Sequence, residues 1–321
     1  MKKILLLLLV ILAPLFSKAQ LIACRDSIKN GYDFWLYIPE DYDSSTYYQK
    51  PVVMFLHGKS LSGKNLAMVK RYGCIDALLR GREIDAVVVA PQSQTSWKAD
   101  KVDEVYEWVK DHYAVDTNRF YVLGMSMGGY GTINYAATYP EKVAAAMAMC
   151  GGASVPSVCG LNDVPLWIIH GTADRDVSVR CSDKVVKDMA SCGDTSMLIF
   201  DRMPKVNHSI LARVFYMEET YDWLFSHSLT DSIRQLNLNY KMTNAMLNTA
   251  YDDMNKDFKF KVIDSKPSTY VPNKSSYYVV KKGDCLSTIA TKNHTTVKKL
   301  CQLNGLNKNA TLRIGQKIKV K

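Results

Sequence analysis

The sequence predicts an α/β fold, a mostly parallel sheet covered by helices on both faces, followed by a small second module. Three observations carry this. Unbroken apolar runs at 51–58, 86–91, 120–123, 166–171 and 197–200 have the composition of strands buried on both sides. Helical apolar spacing lies between them, at 102–112 through Val102, Val105, Tyr106 and Val109, and again near 182–190. A lysine-rich end, with only Asp257, Asp264 and Asp284 as acids beyond Lys256, is divided from the rest by the Pro- and Ser-containing stretch 265–276. The 321 residues, 47% of them apolar, are enough for one large core and one small one.

In chain order, Met1-Lys-Lys precedes an apolar run from Ile4 to Leu12, with small residues at Ser17 and Ala19. That is the pattern of a signal peptide over 1–19 cleaved before Gln20, and it predicts a secreted or periplasmic protein; the run is too short to span a bilayer. Leu21-Ile-Ala-Cys24 resembles a lipoprotein box and gives a membrane-anchored lipoprotein, lipidated on Cys24, as the alternative. Residues 32–39 alternate as an edge strand does. The strand at 51–58 ends in His57-Gly58, and the strand at 86–91 leads to Trp97, which either lines a cleft or sits in the core.

Next comes Arg119-Phe-Tyr-Val-Leu-Gly-Met-Ser-Met-Gly-Gly-Tyr-Gly131, a short strand driving into a serine bracketed by glycines. Gly124 and Gly128 flank Ser126 as G-x-S-x-G, where side chains would clash in a tight strand-to-helix turn. The helix that follows, ended by Pro140, aims its free N–H groups at the place where an oxyanion would form. Ser126 is therefore the expected nucleophile. Strand-and-helix alternation continues through 143–150, and two strand-end loops supply partners: Asp174 after 166–171 and His208 after 197–200. His208 would take the serine proton and Asp174 would hold the imidazole, with Asp176 as the competing acid. The expected oxyanion donors are the N–H of Met127 and, from the turn after His57, that of Lys59. His57 and His170 precede glycines and are read as turn-shaping, and His112 and His227 as surface helix residues. No metal-type spacing occurs among the eight cysteines, and neither metal nor cofactor is expected.

Phe55-Leu-His-Gly58, Val115-Asp-Thr-Asn-Arg119, Gly124-Met-Ser-Met-Gly-Gly129, Tyr139-Pro-Glu-Lys142 and Ile169-His-Gly-Thr-Ala-Asp174 resemble an α/β-hydrolase of the secreted esterase type, related to feruloyl esterases and polyhydroxyalkanoate depolymerases. The resemblance covers about 32–227 and implies ester hydrolysis through an acyl-enzyme, with a carbohydrate-linked ester among the substrates it admits. Peptidases of the prolyl-oligopeptidase family share these motifs, and a wall-binding protein on a catalytically dead hydrolase fold is a further rival. The catalytic domain is placed at 20–227, and 228–276 as a helical segment and linker, with helix-like spacing at Ile233, Leu236, Met242, Met246 and Met254.

From Tyr277 the order is strand, two short helices and strand. Val280-Lys-Lys-Gly-Asp284, Leu286-Ser-Thr-Ile-Ala290, Leu303-Asn-Gly-Leu306 and Ile314-Gly-Gln-Lys-Ile318 resemble a LysM domain over 277–321. That resemblance implies binding of N-acetylglucosamine glycans such as peptidoglycan, in a groove between Gly283, Asp284, Cys285 and Leu286 and, opposite, Asn304, Gly305 and Leu306. The net charge of +10 comes without an aromatic stacking array, so nucleic acid is not the expected partner. Cys285 and Cys301, at facing ends of two short helices, are expected to form a bridge.

Overall fold

The computed structural model describes residues 19–42, 49–230, 240–264, 277–293, 295–308 and 310–320. Residues 1–18 of the expected signal peptide at 1–19, Ile233, Leu236, the expected linker at 265–276 and His294 lie outside the described residues. Among the described residues, nine strands form one sheet in the order β8-β7-β6-β5-β3-β4-β2-β1-β9. They are β1 Gln20–Cys24, β2 Phe34–Ile38, β3 Lys50–Leu56, β4 Val87–Pro91, β5 Val115–Met125, β6 Ala145–Met149, β7 Leu166–Gly171, β8 Leu198–Met203 and β9 Lys261–Ile263. The run from β4 through β3 to β8 is parallel; β2 is antiparallel to β4 and to β1.

Because side chains alternate across a strand, the continuous apolar runs feed two cores at once. Val53 and Phe55 of β3 face one side, packing with α1 (Cys74–Arg80), α5 (Glu218–Phe225) and the 3-10 turns over Ser209–Tyr216. Val52, Met54 and Leu56 face the other, under α2 (Ala99–His112), α3 (Met127–Thr138) and α4 (Arg180–Cys192). In α2 the buried residues are the Val102, Val105, Tyr106 and Val109 that the spacing singles out.

The large α/β unit runs past the expected boundary at 227. Met242, Leu247 and Ala250 join the first core through α6 (Asn244–Thr249), and β9 pairs in parallel with β1 at the sheet edge. Buried Arg82 fastens this return by donating to the Tyr216 carbonyl at 2.8 Å and to Asp253. The residues after 227 are thus sheet and core as well as linker. His227 is likewise buried rather than on the surface, its Nδ1 2.8 Å from the Trp223 carbonyl, while His112 stacks on Trp108 at 4.0 Å.

Cys24 is also buried, in β1, paired along its length with β2. Lipoprotein processing would cleave before Cys24 and take Gln20–Ala23 out of the sheet, which is the physical argument against the lipoprotein alternative.

The C-terminal module pairs β10 (Tyr277–Val279) antiparallel with β11 (Lys317–Lys319) and packs α7 (Leu286–Lys292) and α8 (Val297–Asn304) around Val280, Leu286, Ile289, Leu300 and Ile318. The expected Cys285–Cys301 bridge is corrected: both are free thiols. Cys285 sits at the N-terminus of α7, its sulfur 3.0 Å from the Ser287 hydroxyl, and Cys301 is half-buried in α8. The bridge lies elsewhere, between Cys159 and Cys192, with Cα atoms 5.2 Å apart. It joins the end of α4 to the turn ahead of β7.

Because it closes 33 residues, reduction or Cys159→Ser should lower the unfolding free energy by about 4 kcal/mol. Urea titration measures that loss, and thiol counting under non-reducing denaturation should return six free cysteines.

Candidate active site

β5 ends at Met125 and α3 begins at Met127, leaving Ser126 alone on the turn at φ 59°, ψ −121°. A non-glycine residue there is strained, and close packing holds it. A Cβ on Gly128 would lie 1.8 Å from the Leu56 carbonyl oxygen, and one on Gly124 would lie 2.4 Å from that of Gly128. Only glycine lets the start of α3 press against β3. The Ser126 N–H donates to the Met149 carbonyl at 2.9 Å and its side chain makes no cap bond, so the hydroxyl is left to the cavity above.

That cavity, of about 890 Å³, is bordered by Ser126, Met127, Lys59, Tyr72, Trp97 and His208. His208 Nδ1 donates to Asp174 Oδ2 at 2.7 Å. The carboxylate is fully buried, and its other oxygen accepts the N–H groups of Asp176 and Val177, each at 2.9 Å. Asp176, the competing acid, borders the cavity and braces Asp174 through its backbone instead of meeting His208. Buried His170 supports the same loop, Nε2 2.9 Å from the Val177 carbonyl and Nδ1 2.8 Å from the Ser182 hydroxyl.

Also bordering the cavity, Lys59 opens a 3-10 turn, Lys59–Leu61, and Met127 opens α3. As first residues of their turns, neither N–H has an intrahelical acceptor. Trp97 unites both readings of it: 6% exposed and donating to the His57 carbonyl at 2.9 Å, it also borders the cavity. Sequence reasoning missed three residues for which no local signal exists. Tyr72 accepts the Gly58 N–H at 2.6 Å; Asn134 meets Ser154 at 2.7 Å on the cavity wall; and Cys150, at φ 41°, lies beneath the acid.

The Cys150 sulfur, an Asp174 oxygen and a His208 nitrogen fall within 4.8 Å of one another, as metal ligands would. Burial and the neighbouring Asp174 carboxylate push the thiol well above its usual range, so it stays protonated as a hydrogen-bonding group.

In the small module, the groove residues divide. Gly283 at φ +88° and Gly305 at φ +61° are exposed, with open space where a side chain would be. Leu286 is core, however, and Asn304 exchanges hydrogen bonds of 2.8 and 2.9 Å with the Lys319 backbone. Asp284 accepts from Lys292 at 2.7 Å and from the Lys281 N–H at 2.8 Å, and Lys292 holds its pKa down at about 2. These three side chains hold the loops in place; what faces outward is backbone, Cys285 and half-buried Leu306.

Residues 26–185 match the family model described as "Putative esterase", and residues 278–321 match that described as "LysM domain". A bifunctional acetylxylan esterase/xylanase of Neocallimastix patriciarum is 36% identical over 84 residues, 25% of this chain and 11% of that protein. An N-acetylmuramoyl-L-alanine amidase of Staphylococcus aureus is 52% identical over 56 residues, 17% of this chain and 16% of that one. The chain therefore spans less than a fifth of either curated relative. Among solved structures, a thermostable esterase is similar with a TM-score of 0.51 and 26% identity, covering 61% of this chain and 59% of that one.

His57 makes the site acid-sensitive. Its Nδ1 donates to the Gly58 carbonyl at 2.8 Å while Nε2 accepts the Ser93 N–H at 3.1 Å, a pairing only the neutral ring can make. Burial lowers its pKa from 6.5 to about 4. The unfolded chain therefore takes up this proton first, so stability is fully present above pH 6.5 and falls as pH drops to about 4. The loss should be about 3 kcal/mol by linkage, and urea unfolding of wild type against His57→Asn across that window should show the flatter slope in the variant.

Proposed function

We propose, from the premise that residues 26–185 belong to this esterase family and residues 278–321 are a LysM domain, that the chain is a serine ester hydrolase held on a glycan. The observation that carries the reading is the 2.7 Å bond from His208 to buried Asp174, with His208 and Ser126 bordering one cavity. In this mechanism His208 Nε2 takes the proton from Ser126 Oγ as the oxygen attacks the acyl carbon. Asp174 holds the other ring nitrogen and stabilises the imidazolium. The N–H groups of Met127 and Lys59 receive the oxyanion. His208 then returns the proton to the departing alcohol, and water resolves the acyl-enzyme by the same steps in reverse.

The cavity lining combines apolar surface from Tyr72, Trp97, Met127 and Ala212 with polar groups from Asn134 and Ser154. Such a lining suits an acyl group beside a hydroxyl-bearing alcohol, which supports a carbohydrate-linked ester as substrate. The LysM module would retain the enzyme on peptidoglycan or a related N-acetylglucosamine glycan through the backbone around Gly283 and Gly305. The cationic and apolar start of the chain supports export to the cell wall. No helix among the described residues is long and apolar enough to cross a membrane.

Ser126→Ala should abolish hydrolysis of p-nitrophenyl acetate and labelling by a fluorophosphonate. Asp174→Asn should lower kcat by about 10⁴-fold, and Asp176→Asn by far less. An Asp176 variant as crippled as the Asp174 one would reassign the acid. Ending the chain before Tyr277 should spare soluble ester turnover and sharply reduce co-sedimentation with insoluble peptidoglycan, because tethering raises the local enzyme concentration. Equal sedimentation of the two forms would remove the anchoring role.

A further inference from the structure

Gly58 immediately precedes Lys59 in the wall facing Ser126, and its N–H is already bound to the Tyr72 hydroxyl at 2.6 Å. Gly58 therefore has no donor left for a substrate, but the phenol that occupies it has one. A tyrosine hydroxyl accepts through oxygen and donates its single hydrogen. Accepting from an amide polarises the O–H and strengthens it as a donor.

The phenol is also in the right place. The point where a Cβ on Gly58 would sit is 2.6 Å from the Tyr72 oxygen and 3.4 Å from Ser126 Cβ, so these two groups are no more than about 6 Å apart. From Ser126 Cβ, the chain of bonds through Oγ and an acyl carbon to an oxyanion, plus a hydrogen bond of about 2.7 Å, spans about that distance. Tyr72 and Ser126 border the same cavity. The ring is packed in place, 6.2 Å from Phe55 and 6.3 Å from Phe215 between centroids. Its successor Gly73 sits at φ +87° where a Cβ would strike the Phe55 ring at 2.1 Å, so the loop cannot slide. Burial raises the phenol above its usual range, keeping the proton on oxygen at neutral pH.

We propose that the Tyr72 hydroxyl is a third oxyanion donor, acting with the N–H groups of Met127 and Lys59. The assignment rests on Ser126 being the nucleophile, as argued above. As the Ser126 Oγ–carbon bond forms, the carbonyl π pair moves onto oxygen, and the Tyr72 O–H hydrogen-bonds that oxygen. The phenol keeps its proton throughout; the serine proton goes to His208.

Tyr72→Phe should lower kcat for p-nitrophenyl acetate by about 10²-fold with little change in KM, the size seen when one oxyanion donor is removed. Because that variant also strips Gly58 of its acceptor, a second test separates donation from loop support. Replacing Tyr72 by 3,5-difluorotyrosine lowers the phenol pKa while preserving the acceptor, and a phenolate accepts the Gly58 N–H at least as well. A donor is lost on ionisation, so the alkaline limb of kcat should move to lower pH in the fluorinated enzyme. A limb coinciding with wild type, or a Tyr72→Phe enzyme within twofold of wild type, would overturn the proposal and leave the Ser126 assignment standing. Activity surviving in Ser126→Ala would instead remove the premise on which it rests.

Discussion

The fold and the candidate site depend on the contact between the start of α3 and the end of β3, where Gly128 meets the Leu56 carbonyl so closely that a Cβ would lie at 1.8 Å. This contact holds Ser126 in the left-handed region, a conformation costing of order 1–3 kcal/mol that only surrounding packing can maintain. It lifts the serine hydroxyl clear of the helix and brings the first N–H of α3 beside the turn after β3. The proposed nucleophile and oxyanion wall are thereby set by backbone packing, which reorganises little during a reaction.

The acid side is built by a different principle. The Asp174 side chain lies at zero exposure, and its charge is met by two backbone N–H groups and the His208 ring. His170 and Ser182 hold the loop from behind, and Ser182 donates to the Gly151 carbonyl at 3.0 Å, next to Cys150. A carboxylate satisfied by dipoles remains available to orient an imidazole, whereas one clamped by a guanidinium would give up much of its charge to that partner.

The LysM module is far smaller and manages its loops with polar side chains. Asp284 ties the first loop to Lys292, and Asn304 ties the second to Lys319. The resemblance placed both residues in the glycan-binding groove. In the structure both side chains are engaged in hydrogen bonds within the module.

Much of this was legible in the sequence for a local reason. Strand and helix follow from the period of apolar residues, and β3, β5 and β7 were read from uninterrupted runs because a strand buried on both faces has no other composition. Ser126, Asp174 and His208 stood at strand ends, where this sheet gathers its loops. What failed, or stayed silent, required knowing which distant segments meet. The extension of the hydrolase unit through α6 and β9, the burial of His227, the Cys159–Cys192 pairing and the meeting of Tyr72 with Gly58 each join residues whose separation leaves no periodic trace. Sequence by itself determined which segments must be buried and which residues could do chemistry, since both are properties of side chains and their spacing. Tertiary structure alone decided which of those residues touch, because a contact's free energy depends on geometry that the chain acquires only when the sheet closes its packing.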